Sequence, residues 1–290
     1  MITLSGSTRV VGLFGDPVAH SLSPLMQNAA LRAAAIDAVY VPFHVTPEQL
    51  CAALEAVRAL DLVGVNLTIP HKEAACALVD ELDPAAALIG AVNTVVAREG
   101  RLIGYNTDGL GLLSALRREL AADLDGKRVL VVGAGGASRA AVVALAQAGV
   151  AWIGVANRTP ERAATMLGEL SAILQGTAFA PLPLAADLPG RLGAPVDLLV
   201  NSTAVGLHGE LFGFPLESCV RPGGAVYDMT YGKGPTRLVL SARAAGLVAA
   251  DGRGMLAGQG EEAFRLWFGV SAPDGVMRSA LDAAGDENQI

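Results

Sequence analysis

The sequence predicts an α/β protein with two domains, each built from strands that alternate with helices. Apolar, β-branched runs alternate with helical patterns along the chain, and this alternation both precedes and follows a glycine cluster at 133–136. The 290 residues suit two domains, because one domain commonly takes about 100 to 200 residues. We expect the boundary near Asn106 to Gly111, where a glycine-containing segment is followed by a new helical pattern at 112–120.

The first half of the chain shows this alternation in short elements. Strands are expected at 10–15, 39–45 and 62–68, and helices at 24–35 and 72–82. A further helix should begin after Thr46, because Pro47 is suited to the first helical position. Pro42 lies inside the second strand and indicates an edge position or an irregularity, since proline cannot donate a hydrogen bond to a neighbouring strand.

The glycine cluster has the pattern of a dinucleotide-binding turn. The apolar run 129–132 leads into Gly133-Ala134-Gly135-Gly136-Ala137, and an alanine-rich helical pattern follows. Glycines let backbone N–H groups approach a pyrophosphate, and the helix N-terminus adds partial positive charge. Ser138 stands where a glycine or alanine is expected for close packing of helix on strand. A glycine triplet alone is often only a turn, but its flanks favour a Rossmann domain.

The end of the next strand favours NADP over NAD. An NAD site usually has an acidic side chain there, about 20 residues after the glycines. Here the strand 152–156 is followed by Asn157-Arg158-Thr159, with Arg162 four residues after Arg158. We expect both arginines on one face at the start of the following helix, where they would hold a 2′-phosphate. The alternative is a solvated helix start with Glu161 as the partner of either arginine.

Composition excludes several classes of protein. A net charge of −7 offers no basic field for nucleic acid. The most apolar stretch, 140–156, contains Gln147 and two glycines and is shorter than the roughly 20 residues of a membrane span. No basic region followed by an apolar core stands at the start, so no secretory signal is expected. The three cysteines are scattered and lack metal spacing, which favours the reducing cytoplasm and no metal site.

Polar side chains cluster where the first strands end, which is where α/β domains bind ligands. Ser21 and Ser23 follow the first strand and suit a carboxylate, although Ser23 before Pro24 is also an ordinary N-cap. Lys72 follows the third strand and would donate a proton if its neighbours lowered its pKa. A single lysine at a helix start is usually solvated, and polar residues such as Asn93 and Asp108 often occupy turns.

Together these segments resemble the shikimate dehydrogenase family, of the NADP-dependent shikimate 5-dehydrogenase type, over nearly the whole chain. The resemblance rests on Gly15-Asp16-Pro17-Val18-Ala19-His20-Ser21-Leu22-Ser23-Pro24, Asn66-Leu67-Thr68-Ile69-Pro70-His71-Lys72, Gly90-Ala91-Val92-Asn93-Thr94, Asn106-Thr107-Asp108-Gly109, the glycine cluster, Asn157-Arg158-Thr159, Asn201-Ser202-Thr203, Tyr227-Asp228-Met229-Thr230-Tyr231 and Met255-Leu256-Ala257-Gly258-Gln259. It implies reversible NADPH-dependent reduction of 3-dehydroshikimate to shikimate, a step of aromatic amino acid biosynthesis in the chorismate branch.

The resemblance also implies roles for domains and residues. A substrate-binding and catalytic domain would span 1–108 and be completed by 252–290, and a Rossmann NADP-binding domain would span 109–251. Lys72 and Asp108 would be the catalytic pair. Substrate-binding roles would fall on Ser21, Ser23, Asn66, Thr68, Asn93, Tyr231 and Gln259. Cofactor-binding roles would fall on Gly133, Ala134, Gly135, Gly136, Ala137, Asn157, Arg158, Thr159, Arg162, Thr203, Met229, Gly252 and Met255.

Two alternatives stay open at the level of sequence. One is a quinate/shikimate dehydrogenase that uses NAD or NADP, because a hydroxyl difference at one ring carbon is hard to derive from sequence. The other is a nucleotide-sensing module that has kept the fold and lost turnover. The intact Lys72 and Asp108 argue against the second alternative. The expected partners are small molecules, with no nucleic acid and no membrane, and the chain is expected to be a monomer or homodimer.

Overall fold

The chain divides into two compact units in the computed structural model, which describes residues 4–206, 210–232 and 234–286. Unit 1 contains Met1–Gly111 and Leu256–Ala284, and unit 2 contains Leu112–Met255. The chain passes from unit 1 to unit 2 and back again, so unit 1 is discontinuous in sequence. Among the described residues, no helix combines the length and the apolar character that a membrane crossing requires.

The first segment of the chain builds the sheet of unit 1. Its elements are β1 (Arg9–Gly15), α1 (Ser23–Ala33), β2 (Ala38–His44), α2 (Leu50–Ala59), β3 (Gly64–Leu67), β4 (Glu81–Leu82), α3 (Pro84–Ile89), β5 (Thr94–Arg98), β6 (Arg101–Tyr105) and α4 (Asp108–Leu120), of which α4 begins in unit 1 and ends in unit 2. The strand order is β2-β1-β3-β5-β6-β4. β1 is parallel to β2 and β3, whereas β5 is antiparallel to β3 and β6. The predicted edge position of the strand with Pro42 is confirmed, because β2 lies at the edge of this sheet.

The second segment builds the sheet of unit 2. Its elements are β7 (Arg128–Val132), α5 (Gly136–Gln147), β8 (Trp152–Asn157), α6 (Pro160–Ser171), β9 (Ala178–Pro183), α7 (Leu188–Arg191), β10 (Val196–Asn201), β11 (Val220–Asp228), α8 (Arg237–Ala244) and β12 (Val248–Asp251). The strand order is β12-β11-β10-β7-β8-β9, and every pairing is parallel. β8 lies on one side of β7 and β10 on the other, so the loops after β7 and β10 lead in opposite directions. Ligands of open α/β sheets bind at such a switch point.

The C-terminal segment completes the core of unit 1. It forms α9 (Arg253–Phe268), which begins in unit 2, and α10 (Val276–Asp286). Phe264 and Trp267 of α9 are buried with Met26 and Tyr40 in one hydrophobic cluster. The indole N–H of Trp267 donates to the carbonyl of Val95 at 3.0 Å, which also satisfies the polar atom of this ring. The predicted fold class is therefore confirmed, including the return of the C-terminal segment to the first domain.

The predicted helix at 72–82 is wrong. The structure has a short 3₁₀ turn at Ala74–Ala77, and then β4 pairs parallel with β6. The alanine-rich sequence favours a helix, but Asp80 donates its N–H to the carbonyl of Leu102 and accepts the N–H of Leu102 at its carboxylate. These bonds hold residues 80–82 beside β6, so tertiary pairing outweighs the local helix propensity.

Candidate active site

Lys72 and Asp108 form an ion pair at the strand ends of unit 1. Lys72 follows the turn after β3, and Asp108 is the first residue of α4. The Lys72 Nζ lies 2.7 Å from Asp108 Oδ2, with 31% of the lysine side chain and 11% of the aspartate side chain exposed. This partial burial reduces solvent screening, so the charges interact more strongly than a pair on the open surface. The lysine side chain keeps about a third of its surface exposed.

Asn93, the residue before β5, holds the other oxygen of Asp108. Its Nδ2 donates to Asp108 Oδ1 at 2.7 Å and to Thr107 Oγ1 at 3.0 Å. Its Oδ1 accepts the backbone N–H of Thr107 at 2.8 Å. The carboxylate of Asp108 thus accepts from Lys72 at one oxygen and from Asn93 at the other. These two donors, one at each oxygen, fix the orientation of the carboxylate.

Asn66, on β3, is linked to Asn93 by the hydroxyl of Thr94. Asn66 Nδ2 donates to Thr94 Oγ1 at 3.0 Å and to the carbonyl of Asn93 at 3.1 Å, and Thr94 Oγ1 donates to Asn93 Oδ1 at 2.9 Å. The hydroxyl of Tyr40 donates to Asn66 Oδ1 at 2.9 Å. Burial raises the pKa of Tyr40, so its hydroxyl keeps the proton that it donates. All of these side chains are buried.

The other candidate substrate residues of unit 1 lie in different local settings. The α1 helix begins at Ser23 with Leu22 as its N-cap, so Ser23 is not the N-cap that the sequence alternative suggested. The Ser23 N–H donates to Ser21 Oγ at 3.2 Å. Thr68 is half-buried directly after β3. Gln259 is buried on α9, where its Nε2 donates to the carbonyl of Leu256 at 2.8 Å.

Three buried polar residues of this network were missed as site residues by the sequence analysis: Tyr40, Thr94 and Thr107. Thr94 and Thr107 each stand next to a candidate residue in a quoted motif, and that adjacency was the available signal. Tyr40 gave no such signal, because it lies in an apolar strand where an aromatic residue is usually core.

In unit 2, the glycine cluster forms the expected turn between β7 and α5. Gly133 has φ +113°, and a Cβ there would lie 2.6 Å from Ser202 Oγ, so this position requires glycine. Gly135 is the N-cap of α5. A Cβ added at Gly135 would project into open space, with no described atom within 4 Å. The turn therefore presents an open backbone surface at a helix N-terminus.

Ser138 is accommodated in the glycine turn by a hydrogen-bonded partner. Its Oγ accepts the N–H of Gly135 at 3.3 Å and lies 2.6 Å from the hydroxyl of Ser202. Ser202 in turn donates to the carbonyl of Val132 at 2.6 Å. The serine at this position thus fastens the turn to the loop after β10, which a glycine or alanine would not do.

The expected phosphate-binding arginines follow β8, and both are exposed. The α6 helix begins at Pro160 with Thr159 as its N-cap. Arg158 therefore lies in the loop before the helix, which corrects the prediction that both arginines occupy its start, and Arg162 lies in the first turn. Asn157 Nδ2 donates to the carbonyl of Thr159 at 2.9 Å and fixes this loop.

The remaining candidate residues of unit 2 lie around the ends of β10, β11 and β12. A Cβ at Gly252 would lie 2.1 Å from the carbonyl oxygen of Met229, so only glycine fits this contact. The N–H of Met255 donates to the hydroxyl of Tyr227 at 3.0 Å. Thr203 Oγ1 donates to Asn201 Oδ1 at 2.7 Å. Tyr231 also lies in unit 2, and burial raises its pKa.

The residues of unit 2 fit a dinucleotide with a 2′-phosphate. The uncovered backbone at Gly135 and the N-terminus of α5 suit a pyrophosphate. The two exposed guanidinium groups after β8 suit a further phosphate, since arginine binds phosphate oxygens in pairs. Within the described ranges, no three histidine, cysteine or acidic side chains form a group that would hold a metal ion.

Family models match three segments of the chain. Residues 13–95 match the shikimate dehydrogenase substrate binding domain, residues 115–204 match shikimate / quinate 5-dehydrogenase, and residues 252–281 match the shikimate 5'-dehydrogenase C-terminal domain. The first and third segments lie mostly in unit 1 and the second lies in unit 2, so the matches follow the order of the two units along the chain.

Whole-chain relatives agree with these matches. The shikimate dehydrogenase (NADP(+)) of Citrifermentans bemidjiense is 48% identical over 282 residues, which cover 97% of each chain. The solved Thermus thermophilus shikimate 5-dehydrogenase, in complex with NADP(H) and shikimate, is 40% identical with a TM-score of 0.82, covering 95% of this chain and 99% of that one. A 5-ketofructose reductase of Gluconobacter is 32% identical with a TM-score of 0.88, covering 97% and 100%. The chain belongs to the shikimate dehydrogenase family.

Proposed function

We propose that this protein catalyses the reversible, NADPH-dependent reduction of 3-dehydroshikimate to shikimate. The observation that carries the proposal is the Lys72–Asp108 ion pair, whose second carboxylate oxygen is held by Asn93. The relatives named above as shikimate dehydrogenases, over nearly the whole chain, support the choice of substrate and cofactor. The 5-ketofructose reductase shares the fold, so the substrate must be tested directly.

The Lys72–Asp108 pair supplies the proton chemistry of this reaction. When a ketone is reduced, negative charge develops on its oxygen, and an ammonium group beside that oxygen stabilises the charge and delivers a proton. Lys72 would do this with its ammonium group, at the end of a partly exposed side chain, while Asp108 fixes the direction of that group. Ser21, Ser23, Asn66, Thr68, Asn93, Tyr231 and Gln259 would bind the carboxylate and hydroxyls of the substrate.

Unit 2 would hold the cofactor. The glycine cluster would bind the pyrophosphate; Asn157, Arg158, Thr159 and Arg162 would surround the adenosine phosphate; and Thr203, Met229, Gly252 and Met255 would lie near the nicotinamide. NADP supplies the hydride chemistry when bound, and the protein supplies position and electrostatics.

The free cysteines, of which Cys51 is exposed, suit a reducing cytoplasm. We expect a monomer or a homodimer.

Initial rates of cofactor reduction test this function. Shikimate and quinate are each combined with NADP and with NAD, and absorbance is followed in the purified protein. We expect shikimate with NADP to exceed the other three pairs by at least about tenfold, which corresponds to about 1.4 kcal/mol in the barrier. A higher rate with quinate or NAD would assign the chain to the broader quinate/shikimate enzymes. Stabilisation by NADP without turnover of either substrate would indicate the nucleotide-sensing alternative.

A further inference from the structure

The buried network behind the ion pair has a fixed hydrogen-bond direction. The backbone N–H of Thr107 can only donate, so the atom of Asn93 that it meets is Oδ1. The carboxylate of Asp108 faces Asn93 Nδ2, and the carbonyl of Asn93 faces Asn66 Nδ2. These groups set the orientation of both side-chain amides, because a reversed amide would place oxygen against oxygen.

The direction of the hydrogen bonds from the Thr94 and Tyr40 hydroxyls then follows. Thr94 Oγ1 accepts from Asn66, so its own proton goes to Asn93 Oδ1. Tyr40 meets Asn66 Oδ1, so its hydroxyl donates. The donors run from Tyr40 through Asn66, Thr94 and Asn93 to Asp108, and we call these five residues the relay.

We propose that Tyr40 and Thr94 are positioning residues that set the orientation of the Asp108 carboxylate, and with it the Lys72 ammonium group, through Asn66 and Asn93. This inference rests on the proposed function, since it concerns the turnover of shikimate. Among the described residues, neither Tyr40 nor Thr94 has a hydrogen bond to Asp108. Both act through amides whose N–H groups are all donated to protein acceptors: those of Asn66 to Thr94 and the Asn93 carbonyl, those of Asn93 to Thr107 and Asp108.

Burial makes the two hydroxyls difficult to replace. Tyr40 is 2% exposed and Thr94 is fully buried, so water has no direct access to either position. Loss of the Thr94 hydroxyl would leave one N–H of Asn66 without its acceptor, and Asn93 Oδ1 would accept from Thr107 alone. A buried donor without a partner costs free energy, so the two amides would shift to recover their hydrogen bonds. A shift of about 1 Å at a reacting group reduces turnover by up to about 100-fold. Both amide N–H groups of Asn66 are donated within the relay, so a substrate hydroxyl that meets Asn66 must donate to Oδ1.

The test is a double-mutant cycle on Thr94→Val and Tyr40→Phe, with kcat and KM measured for shikimate and NADP. We expect Thr94→Val to reduce kcat by about 10- to 100-fold and to change KM by less than about threefold, because it disturbs orientation rather than binding. Tyr40→Phe should reduce kcat by a smaller factor. The double variant should be within about twofold of Thr94→Val alone, since both changes interrupt the same chain of donors.

Two further variants separate positioning from general destabilisation. Thr94→Ser keeps the hydroxyl and should recover kcat to within about threefold of the wild type. Thr177→Val removes the same group from unit 2, where it donates to the carbonyl of Val150 at 2.7 Å, and should leave kcat unchanged. If Thr94→Val does not fold, Tyr40→Phe carries the test, and normal kcat in the folded Tyr40→Phe protein would overturn the proposal.

The outcomes for the relay and for the proposed function are distinct. Suppose that the wild type turns over shikimate. Normal kcat in folded Thr94→Val would then overturn the relay alone, and so would effects of the two substitutions that multiply in the double variant. A wild type without shikimate turnover would overturn the proposed function. In that case the same four proteins are compared by urea titration. Losses in the free energy of unfolding that are not additive would support the relay, and additive losses would overturn it.

Discussion

Lys72 and Asp108 are 36 residues apart in the chain, and one short segment brings them together. The N–H of Val92 donates to the carbonyl of Lys72 at 2.8 Å, which fixes the backbone of the lysine. The next residue, Asn93, donates to the carboxylate of Asp108. The segment before β5 therefore holds one partner by its main chain and the other by its side chain. The geometry of the pair depends on this segment as much as on the two charged residues.

Replacement of Lys72 by alanine should reduce kcat by about 10²- to 10⁴-fold, the usual contribution of a positioned acid or base. KM for shikimate should stay close to the wild-type value, because the charge acts mainly as the reaction proceeds. Steady-state kinetics of the purified variant measure both. Lys127→Ala, which removes a lysine of unit 2 outside the candidate site, is the matched control. A large rise in KM with normal kcat would instead make Lys72 a binding residue.

The sequence indicated the residue types of the site better than their arrangement. Lys72, Asn93 and Asp108 were selected because polar side chains at strand ends of α/β domains bind ligands. Their pairing came from the family resemblance, since spacing in the chain does not give distances between separate turns. This reasoning could not identify Tyr40, because its role depends on its hydrogen bond to Asn66 on β3, and β1 lies between their two strands.

At the scale of elements, β4 shows where local sequence is insufficient. Residues 80–82 follow an alanine-rich stretch, yet they pair with β6 because Asp80 binds the N–H of Leu102 at 2.6 Å and Arg58 Nη2 at 2.6 Å. Those partners are more than twenty residues away in sequence, so no window around Asp80 contains the signal. The strand with Pro42 is the opposite case, since the missing donor of proline predicted its edge position directly.

Asp80 should make the stability of unit 1 depend on pH. The N–H of Leu102 and the guanidinium of Arg58 lower the pKa of Asp80 below its usual 3.8. A group with a lowered pKa in the folded state stabilises the protein above its unfolded pKa and loses this effect as pH falls through the folded pKa. The urea midpoint of Asp80→Asn should therefore lie below that of the wild type at neutral pH.

The difference in urea midpoint between wild type and Asp80→Asn should become smaller as the pH falls below about 4. In that range the Asp80 carboxyl group of the unfolded chain takes up a proton before that of the folded protein does. Urea titrations at neutral pH and at about pH 3 measure it. Asp61→Asn, at an exposed position of unit 1, is the control. An equal difference at both pH values would show that the carboxylate charge of Asp80 does not contribute.

At the scale of the whole molecule, the alternation of strands and helices predicted two α/β units but not their pairing. The all-parallel order of unit 2 agrees with strand–helix–strand crossovers, as in Rossmann domains, although the described residues between β10 and β11 form only a 3₁₀ turn. The antiparallel pairing of β5 with β3 and β6 in unit 1 was not predictable, because the apolar pattern of a strand does not show in which direction it runs beside its neighbours. The return of α9 and α10 to unit 1 followed from the family resemblance rather than from periodicity.

NADP alone should stabilise the folded protein, because a ligand that binds only the native state shifts the unfolding equilibrium. At 100 times its Kd, NADP should add about 2.7 kcal/mol to the free energy of unfolding. Thermal unfolding with NADP and with NAD at equal concentration should give the larger shift with NADP. Arg158→Gln combined with Arg162→Gln should remove most of this excess and leave the NAD shift intact, because only NADP carries the 2′-phosphate. Arg32→Gln, an exposed arginine on α1, controls for loss of charge alone. An unchanged NADP shift in the double variant would mean that other groups bind the 2′-phosphate.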